Sequence, residues 1–140
     1  PDVAAGAAAC RATIDDHDVG RPICEATKQA GRKAVAWLDA GTRNFYTIDT
    51  PINTPADLRG LKIRVQQSPT NVRMMELLGG SATPMGFGDV YTALQAQMLD
   101  GAANNELALT DNGHGDICKY YSYTMHQQIP DILNGNLAFM

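Results

Sequence analysis

Short apolar segments alternate with polar turns along the chain, and this pattern predicts alternating helices and strands. A helix is predicted from Val19 to Ala30, with Gly31 as its end signal. A buried strand is predicted over "KAVAWLDAG", bounded by a turn at Gly41, and "RNFYTI" is predicted as a second short strand. This part of the chain is therefore expected to form one helix followed by two separate strands.

The clearest helix signals lie in the middle of the chain. In "TPADLRG", Thr54 is a suitable N-cap, Pro55 suits the first helical position, and Gly60 permits a left-handed exit. Asp57 has the spacing of a capping box. The strand "LKIRV" follows, and "SPTN" begins a helix that continues to Gly79. This stretch predicts a helix, a strand and a second helix.

The remainder of the chain continues the alternation of strands and helices. The predicted elements are a strand at "SATPM", a helix after Asp89 with an apolar stripe of Val90, Ala93, Leu94 and Met98, an extended "AANN", a helix over 106–118 that glycines interrupt, and strands at "YYSYTMH" and "NLAFM". Short links between alternating elements favour an α/β fold whose sheet has mostly parallel pairing.

Length, charge and hydropathy narrow the class of protein. The chain has 140 residues, enough for one domain, and a net charge of −4, which argues against a nucleic-acid partner. No apolar stretch approaches the roughly 18 residues of a membrane span. The chain begins without Met and lacks the pattern of a secretory signal, so it is expected to be a mature or truncated piece.

The three cysteines give no metal-binding pattern. Cys10, Cys24 and Cys118 form no C-x-x-C pair, so free thiols are favoured and a structural zinc site is not. A disulfide from Cys24 to either of the other two stays open in an oxidising compartment.

Signals for enzyme chemistry are weak. The sequence has no G-x-S-x-G, P-loop or G-x-G-x-x-G motif, and we predict no cofactor. His114 and Asp116 could form an acid/base pair, but a Gly-rich surface turn is the favoured interpretation. For His17, the favoured interpretation is a solvated acidic turn. A small hydrolase or lyase that acts on a carboxylic acid through His114 or His126 stays a second hypothesis.

Arg43 and Arg64 are the strongest candidates for binding chemistry. Alternation along "LKIRV" places Arg64 on the polar face of its strand, and a solvated face is the simplest interpretation. However, strand-to-helix junctions line the ligand crevice of open α/β sheets. A guanidinium at such a junction can bind a carboxylate through two parallel hydrogen bonds, which lysine cannot reproduce.

Two further residues are compatible with a ligand site. Asn104 offers a donor and an acceptor to a polar ligand, although a turn residue explains it equally simply. Phe87 lies between two glycines, where it could form a platform for the apolar face of a ligand or fill the core.

Four motifs in one order resemble the periplasmic solute-binding proteins of TRAP transporters, the DctP-like family. They are G-x-R at Gly41 to Arg43, "TPADLRGLKIRV", "GGSATPMGFGDVYTALQ" and "LDGAAN". The resemblance covers residues 18–140 as an α/β lobe with hinge strands, whereas residues 1–17 match poorly. It implies one lobe plus hinge segments of a two-lobed periplasmic-binding-protein-like fold of type II, with no catalysis.

The resemblance also implies a function and a set of site residues. A protein of this family captures a small carboxylate-bearing organic acid in the periplasm and delivers it to membrane permease subunits, without spanning the membrane itself. By position in the motifs, Arg64 forms the salt bridge to the carboxylate and Arg43 reinforces it, while Phe87 lines the site and Asn104 orients a polar group.

This chain departs from the family in two respects. Ala103 stands where the motif D-G-x-E-N has Glu, so recognition of an amine or hydroxyl on the ligand is open. Family members are also considerably longer, so part of the site is expected to come from sequence that this chain lacks. A third hypothesis follows, in which the chain is a fragment that associates through an exposed lobe face and binds no ligand.

Overall fold

The computed structural model describes residues 3–139. In chain order the elements are α1 (Val3–Asp15), α2 (Gly20–Gln29), β1 (Arg32–Thr47), β2 (Lys62–Val65), α3 (Pro69–Leu77), β3 (Ser81–Pro84), α4 (Val90–Gln95), β4 (Gly101–Asn104), α5 (Leu107–Thr110) and β5 (Tyr120–Asn136). Single 3-10 turns occupy Pro55–Leu58, Phe87–Asp89, His114–Asp116 and Leu137–Phe139. The strands form a five-stranded sheet in the order β3-β2-β4-β1-β5. The prediction of an α/β fold is therefore confirmed.

The chain divides into two compact units. The first comprises the residues up to Thr42 and those from Gln127 onward, and it contains α1 and α2. The second comprises Arg43–His126 and contains β2, β3, β4 and helices α3 to α5. Strands β1 and β5 each pass from one unit into the other along the chain. All four predicted ligand residues belong to the second unit.

The sheet of the second unit is buried on both faces. Strand β2 pairs in parallel with β3 and with β4, whereas β1 pairs antiparallel with β4. Because successive side chains of a strand point to opposite faces, neighbouring residues enter different cores. Tyr46 and Ala102 pack with helix α4 in one cluster, while Phe45 and Ala103 pack with Met75 of α3 in the other.

Strand β1 is longer than the sequence predicts. Gly41 adopts a left-handed φ of +78°, and its N–H donates to Asp39 Oδ1 at 2.9 Å, yet the strand continues through it. The predicted turn at Gly41 and the separation into two strands are therefore wrong. Val35 and Leu38 in the first half of β1 are also more than half exposed, so this segment is not the buried strand that the sequence predicts.

The end of the chain differs in the same way. The segment "YYSYTMH" is the beginning of β5, which continues without interruption to Asn136. The predicted final strand at "NLAFM" is wrong, because Asn136 is the last residue of β5 and Leu137–Phe139 form a 3-10 turn; Met140 lies outside the described residues.

The capped elements agree with the sequence. Asp57 Oδ2 accepts the N–H groups of Asn53 at 2.9 Å and Thr54 at 2.7 Å, and these bonds lower the pKa of the Asp57 carboxyl. Gly60 has a left-handed φ of +80° and leads the chain toward β2. The predicted apolar stripe after Asp89 is correct except at Met98, which is 63% exposed because α4 ends at Gln95.

Candidate functional site

Arg64 lies in the interior of the sheet. Strand β2 is flanked by β3 and β4, and Arg64 is in register with Thr83 on one side and Ala102 on the other. Its side chain is 3% exposed. The interpretation of a solvated strand face is therefore wrong for Arg64, because helix α4 and the turns that follow β3 cover the face that it shares with Ala102.

The guanidinium of Arg64 is held by a backbone carbonyl. Its Nε and Nη2 donate to the carbonyl oxygen of Met85 at 3.0 and 2.7 Å. Among the residues that the structure describes, no carboxylate forms an ion pair with Arg64. Burial lowers the pKa of Arg64, which reflects the cost of keeping its charge away from water. An anion beside this guanidinium would offset that cost.

Phe87 lies against the guanidinium of Arg64. The turn Phe87–Asp89 follows β3, and the ring centroid of Phe87 is 5.7 Å from Arg64 Cζ. This separation is within the range of a cation–π contact. The ring is 39% exposed, so Phe87 does not fill the core and presents part of its surface outward.

His114 is a buried member of the same group of residues. It is 1% exposed, and its Nδ1 is 2.8 Å from the hydroxyl of Tyr46. Its ring is 5.5 Å from the ring of Phe87. Burial and the nearby charge of Arg64 lower the pKa of His114. The predicted surface turn at His114 is therefore wrong, and the acid/base hypothesis lacks support because the hydrogen bond at Nδ1 is to Tyr46.

Arg43 immediately precedes the residues of β1 that are in register with β4. It is buried, and its Nη1 donates to the carbonyl oxygen of Ala103 at 2.7 Å. Ala103 is itself buried in the core beside Phe45. The structure thus shows Arg43 bonded to the backbone of β4, next to Asn104.

His126 is close to Arg43 and stacks on the core. Its ring lies 4.1 Å from the ring of Phe45 with an interplanar angle of 12°, and its Nδ1 is 2.8 Å from Thr124 Oγ1. Burial, followed by the charge of Arg43, lowers the pKa of His126 to about 4. His126 is therefore neutral in the folded protein at pH 7.

We expect the stability of the protein to fall in mild acid because of His126. Its pKa is about 4 in the folded state and 6.5 ordinarily, so the unfolded chain binds the proton more readily. The free energy of unfolding should decrease as the pH falls from about 6.5 toward about 4, by at most about 1.4 kcal/mol per pH unit from this residue.

The variant His126→Phe keeps a ring on Phe45 and removes the titrating group. Urea unfolding at several pH values should show a shallower loss of stability in this variant than in the wild type. Parallel curves for the two proteins would contradict the assignment to His126, since His114 titrates in both of them.

Asn104 ends strand β4 beside a second asparagine. Its Oδ1 accepts the N–H of Asn105 at 3.0 Å. Asn44 of β1 is in register with Asn104. It donates to the hydroxyl of Tyr121 at 2.9 Å and accepts the N–H of Met125 at 2.7 Å.

Because β2, β3 and β4 are parallel, their carboxyl ends meet at one edge of the sheet, where Arg64, Phe87 and Asn104 all lie near strand ends.

Other features of the described chain bear on alternative functions. Cys10, Cys24 and Cys118 carry free thiols, and burial raises the pKa of Cys118 to about 11. Within residues 3–139, no three His, Cys, Asp or Glu side chains are grouped as metal ligands. No helix in the same range has the length and apolar character that crossing a membrane requires.

Comparison with known proteins shows which family the chain belongs to. The family described as DctP, bacterial extracellular solute-binding protein, family 7, matches residues 5–139. The chain belongs to this family. A Salmonella typhimurium relative, the uncharacterized protein YiiZ, is 48% identical over 86% of this chain and 37% of its own length. The 2,3-diketo-L-gulonate-binding periplasmic protein YiaO of Escherichia coli is 31% identical over 88% of this chain and 38% of its own.

Solved structures of family members share the fold. A TRAP periplasmic solute-binding protein from Anaerococcus prevotii, with bound α/β-D-glucuronate, has a TM-score of 0.85 and 62% identity over 94% of this chain and 42% of its own. Another from Sulfitobacter, with bound β-D-galacturonate, has a TM-score of 0.81 and 39% identity over 86% of this chain and 40% of its own. The predicted fold class and family are therefore confirmed.

The chain spans about two fifths of the length of these relatives. The two solved structures are of TRAP periplasmic solute-binding proteins, and YiaO is named as a binding protein, so these comparisons give no support to the hydrolase or lyase hypothesis. The two structures hold bound uronates, YiaO is named for 2,3-diketo-L-gulonate, and all three proteins are named as periplasmic.

Proposed function

We propose that this chain supplies the carboxylate-binding part of a periplasmic solute-binding protein that captures a hexuronate and delivers it to TRAP permease subunits. The observation that carries the proposal is the buried guanidinium of Arg64, which among the described residues has a carbonyl partner and no carboxylate. The bound ligands of the relatives, glucuronate and galacturonate, each carry a carboxylate.

Each predicted site residue has a role in this proposal. The remaining N–H groups of Arg64 bind the carboxylate, and the positive charge of Arg43 reinforces the attraction. Phe87 presents its exposed ring surface to the apolar face of the sugar, as aromatic side chains do in ligand pockets. Asn104 orients a hydroxyl group through the donors of its amide.

Calorimetric titration tests this function with three sugars. D-glucuronate and D-galacturonate should give saturable binding heats, whereas D-glucose, which has the same ring without the carboxylate, should bind at least about tenfold more weakly, corresponding to about 1.4 kcal/mol. Equal affinity for glucose and glucuronate, or no binding of either uronate, would contradict the proposal.

A further inference from the structure

A group of aromatic rings connects strand β1 to the turn that carries Phe87. The ring of His114 lies 5.7 Å from that of Tyr46, 5.5 Å from that of Phe87 and 6.3 Å from that of Tyr91. Three separate elements thus meet on one buried imidazole, and the ring of Phe87 also contacts the guanidinium of Arg64.

The strand side of this group is held firmly. Tyr46 is fully buried in the sheet, and its hydroxyl is bonded to His114 Nδ1 at 2.8 Å. The carbonyl oxygen of His114 accepts the N–H groups of Ile117 at 3.2 Å and Cys118 at 2.9 Å. Both the ring and the backbone of His114 are therefore anchored.

The Phe87 side has less support of its own. Phe87 stands in a single 3-10 turn between Gly86 and Gly88, and a side chain added at Gly88 would meet no atom within 4 Å. With its ring 39% exposed, the inward contacts of Phe87 include the imidazole of His114 and the guanidinium of Arg64. The imidazole is therefore placed to limit how far the ring can rotate away from Arg64.

We propose that His114 is a positioning residue, which transmits the anchored geometry of Tyr46 to Phe87 and so sets the affinity of Arg64 for a carboxylate ligand. This inference rests on the function proposed above. His114 does not itself touch the ligand, and its effect on binding passes through the ring of Phe87.

A double-mutant cycle separates this role from a general structural one. His114→Leu and Phe87→Leu should each weaken the binding of D-glucuronate by about tenfold, the order of a desolvated cation–π contact. The double variant should bind about as weakly as Phe87→Leu alone, because His114 acts through Phe87. His114→Phe, which restores a ring, should recover most of the affinity. Independent, multiplicative losses would overturn the inference.

Tyrosine variants provide a matched control. Tyr46→Phe removes the hydroxyl bonded to His114 and should weaken binding by about threefold, an order expected for one neutral hydrogen bond. Tyr91→Phe keeps the ring that lies 6.3 Å from that of His114 and removes only its hydroxyl, so it should leave affinity unchanged. The same loss in both variants would count against the bond between Tyr46 and His114.

A measurement without ligand tests the positioning role of His114 independently of the proposed function. The NMR signal of the Arg64 Nε–H group reports the position of the nearby Phe87 ring. It should shift in His114→Leu and much less in His114→Phe, at equal folded fraction. If the wild type binds no uronate, the proposed function fails and this signal alone decides whether His114 positions Phe87; an unchanged signal in His114→Leu would overturn the inference.

Discussion

Replacing Arg64 with lysine is expected to weaken the binding of D-glucuronate by about 2 kcal/mol or more, roughly thirtyfold. A guanidinium can donate to Met85 and still direct N–H groups at a carboxylate, because its donors lie in one rigid plane. An ammonium group cannot reproduce the paired hydrogen bonds, and it would lose the contact between the guanidinium and the ring of Phe87. Isothermal titration calorimetry measures the difference directly.

Arg73→Lys is the matched control for this substitution. Arg73 forms an exposed ion pair with Glu76 at 3.1 Å on helix α3, so the same chemical change there should leave affinity unchanged. Thermal unfolding of Arg64→Lys should show that the variant remains folded at the titration temperature. Unchanged affinity in folded Arg64→Lys would remove Arg64 from the binding role.

Replacing Gly101 with alanine is expected to destabilise the protein by about 3 kcal/mol or more. A Cβ at this position would overlap the carbonyl oxygen of Tyr46 and lie 2.7 Å from Thr47 Cγ2. Both atoms belong to residues of β1, which pairs with Gly101 of β4, so β1 and β4 would have to separate. Urea unfolding followed by circular dichroism measures the loss.

Gly88→Ala provides the comparison for Gly101→Ala. A Cβ at Gly88 meets no atom within 4 Å, so this variant should unfold within about 0.5 kcal/mol of the wild type. Equal stability of the two alanine variants would show that β1 and β4 are not packed as closely as described.

Local signals were sufficient to predict several short elements of the second unit. The predicted helix over 106–118 is wrong, because the chain there forms only α5 and, after the left-handed Gly113, the 3-10 turn His114–Asp116. The cap at Thr54 with Asp57, the left-handed Gly60 and the proline at the beginning of α3 act within a few residues, so sequence alone identifies them. The short apolar segment "LKIRV" also located Arg64 correctly in strand β2. These predictions depend on interactions between residues that are close together in the sequence.

Features that depend on distant contacts could not be predicted in this way. Gly41 carries an ordinary turn signal, yet β1 continues through it, since strand pairing is decided by partners far along the chain. Arg64 is buried because β3, β4 and later turns surround it, which alternation within one strand cannot reveal. His114 has no local pattern that marks it as buried, and its partner Tyr46 is 68 residues away.

The central claim is that Arg64 binds a carboxylate, and a crystal structure of the protein with D-glucuronate tests it most directly. The account predicts that the carboxylate lies within hydrogen-bonding distance of the Arg64 guanidinium, with the sugar ring beside Phe87. A bound sugar whose carboxylate contacts other residues, with Arg64 still bonded only to the carbonyl oxygen of Met85, would contradict it.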